Sequence, residues 1–155
     1  MNPLSSYLSR KVGEFQTTVD HLSLKADESF SPEVTPTFRT DRALALDSPA
    51  FVSWLEKLQK SSGVTTRSTE DLLTALRQRL DFFHSVEWRL SDHALDVIRF
   101  ITPEVENAES VFTAALNKET VSPDEIVHYQ SWLMQHHIGA MRNNNTAMFE
   151  HRYRY

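Results

Sequence analysis

Not one of the 155 residues is a cysteine, which excludes disulfides and thiolate metal sites and fits a reducing compartment. Glycine occurs only at Gly13, Gly63 and Gly139. That is too few for a sandwich of many tight turns, and none belongs to a phosphate-cradling loop. No run approaches about 18 consecutive apolar residues, so no segment is expected to span a bilayer. The opening residues, MNPLSSYLSRKVGEF, lack the apolar centre and small-residue cleavage site of a secretory leader; the expected location is cytoplasmic. Basic residues form no long run and the net charge is -5, so neither nucleic acid nor an anionic membrane is expected as a partner. The basic and aromatic tail, residues 151–155, reads as a frayed terminus at that length. There is no internal repeat and no low-complexity tract.

With 40% hydrophobic and 24% charged residues, the composition is that of a globular protein. The length suits one domain, although a complete (β/α)8 barrel takes about 250 residues. Residues 3–26 read as a weakly amphipathic helix through Leu4, Leu8, Val12 and Phe15. Residues 33–39, EVTPTFR, read as a strand, with Pro36 suited to its end or a bulge. Ser48-Pro49 is an N-cap followed by a first-turn proline, opening a helix with Phe51, Trp54, Leu55 and Leu58 inward and a stop before Gly63. A second helix starts near Ser68, has Glu70 and Asp71 in its first turn, and buries Leu72, Leu73, Leu76, Leu80 and Phe83. Residues 87–90 suggest a short strand. Thr102-Pro103-Glu104 restarts a helix with Val105, Ala108, Val111, Phe112 and Leu116 apolar, and Ser122-Pro123-Asp124-Glu125 is a capping box. Residues 126–137 fit helix or strand, and Trp132-Leu133-Met134 suits the start of a strand ending at Gly139. Strands alternating with helices imply parallel pairing and an α/β fold, in which the C-terminal strand ends carry the chemistry.

Polar clusters follow each predicted strand. Asp92-His93 offers a carboxylate and an imidazole for orienting a hydroxyl or moving a proton, and equally suits a surface Asp beside a packed His. Arg39 is able to clamp a carboxylate through two parallel hydrogen bonds, or to form a loop ion pair with Asp41 or Asp47. His136-His137 is a poor metal pair, because adjacent residues point to opposite faces of a strand and diverge by about 100° on a helix. No His-x-His occurs, and no residue is assigned as a metal ligand. Arg142-Asn143-Asn144-Asn145 suits a tight turn with hydrogen bonds for a polyol, or a plain polar turn. Trp54, Trp88 and Trp132 read as core.

Taken together, SDHALDV (residues 91–97), HIGAMRNNN (residues 137–145) and VTPTFRTDRAL (residues 34–44) resemble motifs of the uronate isomerase family. The helix LLTALRQRLDFFHS lies where that family has a Leu- and Arg-rich helix before SDHALD, and the likeness runs from residue 26 to 150. It implies a partial (β/α)8 amidohydrolase-like barrel of about three parallel strands with flanking helices. It also implies interconversion of D-glucuronate with D-fructuronate, and of D-galacturonate with D-tagaturonate, by proton transfer through an enediol. Asp92 and His93 would then be catalytic; Arg39, Asp92, His137, Arg142, Asn143 and Asn144 would bind the sugar acid. The family commonly holds a divalent metal such as zinc, but its His-x-His strand and its late metal-binding Asp have no counterpart here, so no cofactor is expected within this chain. Thr40 stands where the family has proline. Only about a dozen residues separate Glu125 from His137, as though most of a helix were missing. The pattern reads as a single incomplete barrel domain, a truncated or decayed copy that is inactive alone; the alternative is a non-catalytic interaction domain. Open sheet edges favour association, so homo-oligomers are expected. Arg39, Asp92, His93 and Arg142 are expected on one side of the sheet, and His136 would face away from His137 if that stretch is a strand.

Overall fold

Pro36 has no backbone N–H to give to a sheet, and the first strand starts directly after it. In the computed structural model β1 is Thr37–Phe38. The structure describes residues 37–85, 90–94, 99–143 and 147–151, with side chains at 38–85, 99–137 and 139, all inside the compact unit Thr37–Tyr155. The helix expected over residues 3–26, Trp88, and Asn144 lie outside the described residues.

From β1 the chain enters a four-residue helix, α1 (Asp41–Leu44), which the sequence did not suggest. It then forms α2 (Phe51–Ser62) and α3 (Thr69–Ser85), returns to the sheet as β2 (Leu90–Ala94), and continues through α4 (Val105–Leu116) and α5 (Pro123–Asn143) to β3 (Ala147–His151). The strands lie in the order β1-β2-β3, each pair parallel.

The inward face of α2 is the predicted one: Phe51, Trp54, Leu55 and Leu58 are all buried. Its start differs from the sequence reading. The N-cap is Ala50, while Ser48 closes a turn in front of it: the Phe51 N–H donates to the Ser48 carbonyl at 2.9 Å and the Ala50 N–H to Ser48 Oγ at 3.3 Å. The helix ends at Gly63, whose φ of 74° is the left-handed conformation that glycine adopts without a Cβ clash. In α3 the predicted stripe Leu72, Leu73, Leu76, Leu80 and Phe83 is buried. Its start is a reciprocal capping box in which the Asp71 N–H donates to Ser68 Oγ and the Ser68 N–H to Asp71 Oδ2, each at 3.1 Å.

Helix α4 buries Ala108, Val111, Phe112 and Ala115. Val105, expected on the apolar face, is 60% exposed, because it is the first residue of the helix and stands outside the seam. The larger correction concerns α5. Its capping box forms as predicted, with the Ser122 N–H donating to Glu125 Oε2 at 2.7 Å. The helix then runs 21 residues without a break and absorbs Trp132, Leu133 and Met134. No strand ends at Gly139 and no helix is missing between Glu125 and His137. The third strand lies beyond the asparagine cluster instead of before it. Val127, Tyr129, Ser131, Trp132 and Leu133 are all buried; a helix covered on several faces loses the 3.6-residue alternation by which a sequence displays it.

Aromatic rings knit the helices together. Phe51 meets Phe112 edge-on at 6.1 Å between centroids, Phe112 stacks on Tyr129 at 6.2 Å, and Tyr129 lies 6.2 Å from Trp132. Each such ring contributes about 1.5–3 kcal/mol through burial. Trp54 and Trp132 are core, as read from the sequence. Phe38 carries this layer to the sheet, packing its ring against Phe83 of α3 at 5.2 Å.

Candidate functional site

Parallel register sets the level of each residue along the sheet. Phe38 pairs with Ser91, and Ser91 with Met148. Arg39 is the next residue after Phe38, and Asp92 the next after Ser91, so the backbone brings these two to the same level on neighbouring stretches of chain. Asp92 and His93 lie within β2, paired with Phe149 and Glu150, and not in a loop beyond it. Of the strand expected over residues 87–90, Leu90 is in β2 and residues 87–89 lie outside the described residues; the β2 ladder continues through the polar cluster to Ala94. The side chains of Asp92 and His93 lie outside the described residues.

Arg39 forms the loop ion pair that was the plainer of its two readings: Nη2 lies 2.9 Å from Asp41 Oδ2, and both side chains are 24% exposed. A part-exposed pair of this kind is worth about 1 kcal/mol or less. A guanidinium has five N–H donors in a fixed fork, which gives Arg39 the chemistry for a second carboxylate at this end of β1.

Asp41 opens α1, a turn too short to be stable alone. Three observations account for its order. Ala43 and Leu44 are buried. The Tyr129 hydroxyl donates to the Ala43 carbonyl at 2.9 Å, and Gln130 Nε2 donates to the Leu44 carbonyl at 3.0 Å. Two successive residues of α5 thus occupy the last two carbonyls of α1, groups a helix end leaves without internal partners. Complete burial pushes the Tyr129 phenol far above its ordinary range, so it remains a donor at every relevant pH.

The remaining predicted residues lie elsewhere. His137 is 4% exposed and sits on α5, its ring 5.8 Å from that of Phe38. It belongs to the helix layer beneath the sheet and not to a strand end. His136 does not face the opposite way: both histidines border a small cavity between α3 and α5, with Leu73, Leu76, Arg77 and Leu80. His136 Nδ1 donates to the Trp132 carbonyl at 2.8 Å, a contact between residues four apart on a helix. Arg142 and Asn143 form the last turn of α5, which leads into the N-terminal end of β3. Arg39 follows the C-terminal end of β1, so Arg142 does not share its side of the sheet as expected. The reason is the position of the third strand: placed after the asparagines, it turns a strand-end cluster into a strand-entry cluster. Among the described residues no group of three His, Cys, Asp or Glu side chains is placed to hold a metal ion.

Asp41, Tyr129 and Gln130 were absent from the sequence-derived site. Asp41 carried a local signal, being two residues from Arg39. Tyr129 and Gln130 carried none, since their partners are 86 residues away.

A sequence model of the family described as "Glucuronate isomerase" matches residues 15–153. Among curated proteins, the uronate isomerase of Caldanaerobacter subterraneus subsp. tengcongensis is 38% identical over 143 residues, covering 83% of this chain and 31% of that protein. The uronate isomerase of Salmonella arizonae is 35% identical over 159 residues, covering 90% of this chain and 34% of its own length. The chain therefore spans about a third of the length of such relatives. Among solved structures, the uronate isomerase of Thermotoga maritima superposes with a TM-score of 0.82 at 24% identity, covering 91% of this chain and 30% of that one. The glucuronate isomerase of Caulobacter crescentus gives 0.74 at 18% identity, covering 85% and 27%. These two likenesses are of fold.

Proposed function

We infer the function from one premise: this chain belongs to the glucuronate isomerase family. Its three parallel strands and the helices between them form a segment of a (β/α)8 barrel, and its role is to present sugar-acid binding groups at one end of that segment. The observation that carries this reading is the shared level of Arg39 and Asp92 beside β1 and on β2.

The substrate class is a hexuronate, D-glucuronate or D-galacturonate. In the aldose-to-ketose reaction a base removes the proton on C2, the C1 oxygen gains a proton, and an enediol forms. The C2 hydroxyl then loses its proton as C1 receives one, giving the 2-ketose with no net gain or loss of atoms. Arg39 is assigned the substrate carboxylate; Asp92 and His93 are assigned substrate hydroxyls and proton transfer. His137, packed on Phe38, is assigned to the core, and Arg142 and Asn143 to the end of α5 ahead of β3; Asn144 keeps only its expected role as a substrate contact. A divalent metal such as zinc would polarise the carbonyl and its oxyanion in the whole family. The described residues do not supply its donor set, so no step is routed through it here.

On this reading the 155 residues bind a hexuronate and by themselves do not turn it over. The second reading, a non-catalytic interaction domain, draws on the Arg39–Asp41 ion pair, which already engages the guanidinium. Two measurements separate the readings. Purified chain incubated with D-glucuronate and zinc or manganese should form no fructuronate; turnover that disappears on Asp92→Asn would show an active catalyst. Residues 37–151 exchanged into the matched part of the Thermotoga maritima enzyme should preserve turnover. A working chimera indifferent to both Arg39→Ala and Asp92→Asn would remove the assigned roles.

A further inference from the structure

The Arg39–Asp41 pair hangs on an element that cannot order itself. Helix α1 has one full turn, no side-chain cap at Thr40, and a C-terminal end at Ala45 that is not left-handed. At its start the Ala43 and Leu44 N–H groups donate to the Thr40 carbonyl at 2.9 and 3.3 Å. What fixes its distal end comes from across the fold, where the Tyr129 hydroxyl and the Gln130 amide seize the Ala43 and Leu44 carbonyls. Tyr129 is fully buried and stacked on Phe112, so its hydroxyl has a defined position. A buried hydroxyl on the 21-residue α5 therefore holds the far end of a turn whose first residue is Asp41.

We propose that Tyr129 and Gln130 are positioning residues that hold α1 so that Asp41 fixes the Arg39 guanidinium in the geometry for a sugar carboxylate. The proposal rests on the reading of Arg39 as the carboxylate-binding group. It assigns the adjacent pair on α5 a role that no contact with substrate would reveal.

The test uses the full chain labelled with 15N, and two readouts. The first is solvent exchange of the Arg39 Nε–H; the second is the midpoint of shift changes on titration with D-glucuronate. Tyr129→Phe keeps the ring and deletes the donor. It should speed Arg39 exchange and weaken the midpoint, each by about threefold to tenfold, the factor that one net hydrogen bond represents. Gln130→Met, at a half-buried position, should act in the same direction and decides the matter if Tyr129→Phe does not fold. Variants that lower the melting temperature but leave both readouts unchanged would overturn the proposal, because a purely structural role does that. If wild-type chain gives no response to D-glucuronate, the functional reading of Arg39 fails, while the exchange comparison still judges the positioning role.

Discussion

The two helical hairpins of this chain are built to one plan and differ in how the shorter helix ends. Each connects two strands, begins with a 12-residue helix (α2, α4), turns through six residues (63–68, 117–122), and enters a longer helix (α3, α5). In both, the longer helix opens on a serine and a carboxylate that cap each other, Ser68 with Asp71 and Ser122 with Glu125. In both, a left-handed residue follows the shorter helix, directly at its cap in the first and one residue past its cap in the second. In the first hairpin that residue is Gly63, at φ 74°; in the second it is Lys118, at φ 59°. The second turn has Schellman bonding, with the Glu119 N–H donating to the Ala114 carbonyl at 2.9 Å and the Lys118 N–H to Ala115 at 3.1 Å. The backbone thus turns left-handed after both short helices, once at a residue suited to it and once against the clash a Cβ makes there. Hydrogen bonding and packing dictate the turn, and the side chain follows.

The comparison breaks most severely at the rings joining the two hairpins. Phe112→Ala should cost about 3–5 kcal/mol in urea unfolding, enough to unfold a marginal domain. Phe51→Ala should cost a similar amount, and the double variant less than the sum, since the two rings touch. Additivity would mean that the hairpins pack independently.

A second bond crosses between them. Glu109 of α4 accepts hydrogen bonds from both the N–H and the hydroxyl of Thr69, the first residue of α3. Glu109→Ala leaves those buried donors without an acceptor and should cost about 1–3 kcal/mol. A change within error would show that the capping box of α3 suffices.

The glycine–lysine difference predicts opposite signs. Gly63→Ala should destabilise by about 1 kcal/mol, because nothing crowds the new Cβ but its φ is strained. Lys118→Gly should stabilise by up to about 1 kcal/mol, the relief of left-handed strain less the added freedom of the unfolded chain. Equal signs would refute the comparison.

The smallest effect lies in the pH profile. Hydrogen bonds from the Arg67 and Ser68 backbone and the Ser68 hydroxyl lower the Asp71 pKa, and those from Ser122 lower that of Glu125. A depressed carboxyl pKa stabilises the fold above the unfolded value, and that contribution is lost as pH falls through the folded value. The window therefore opens below about pH 4.3 for Glu125 and about 3.9 for Asp71. Thermal melts between pH 6 and 3 should lose part of their acid slope in Asp71→Asn and Glu125→Gln, each alone. Glu125 is exposed and Asp71 partly so, and the change is small; an unaltered slope would mean the caps carry no linkage.

The features legible in the amino-acid order are local. The buried stripes of α2 and α3, most of that of α4, the halt at Gly63 and the capping box at Ser122 are each set by residues within about four positions of one another, the reach of a helical turn. The combination of motifs also pointed to the family, since it needs only order and spacing along the chain. Tertiary structure decided the rest. Whether Trp132 continues a helix or starts a strand depends on what surrounds it, and burial on several faces had erased the period. Whether Asp92 ends β2 or lies within it depends on β3, which pairs with it as far as Ala94. The order of α1, and with it the setting of Arg39, depends on a hydroxyl and an amide 86 residues away. No local pattern encodes such a contact, because two distant residues meet only after the intervening helices have packed.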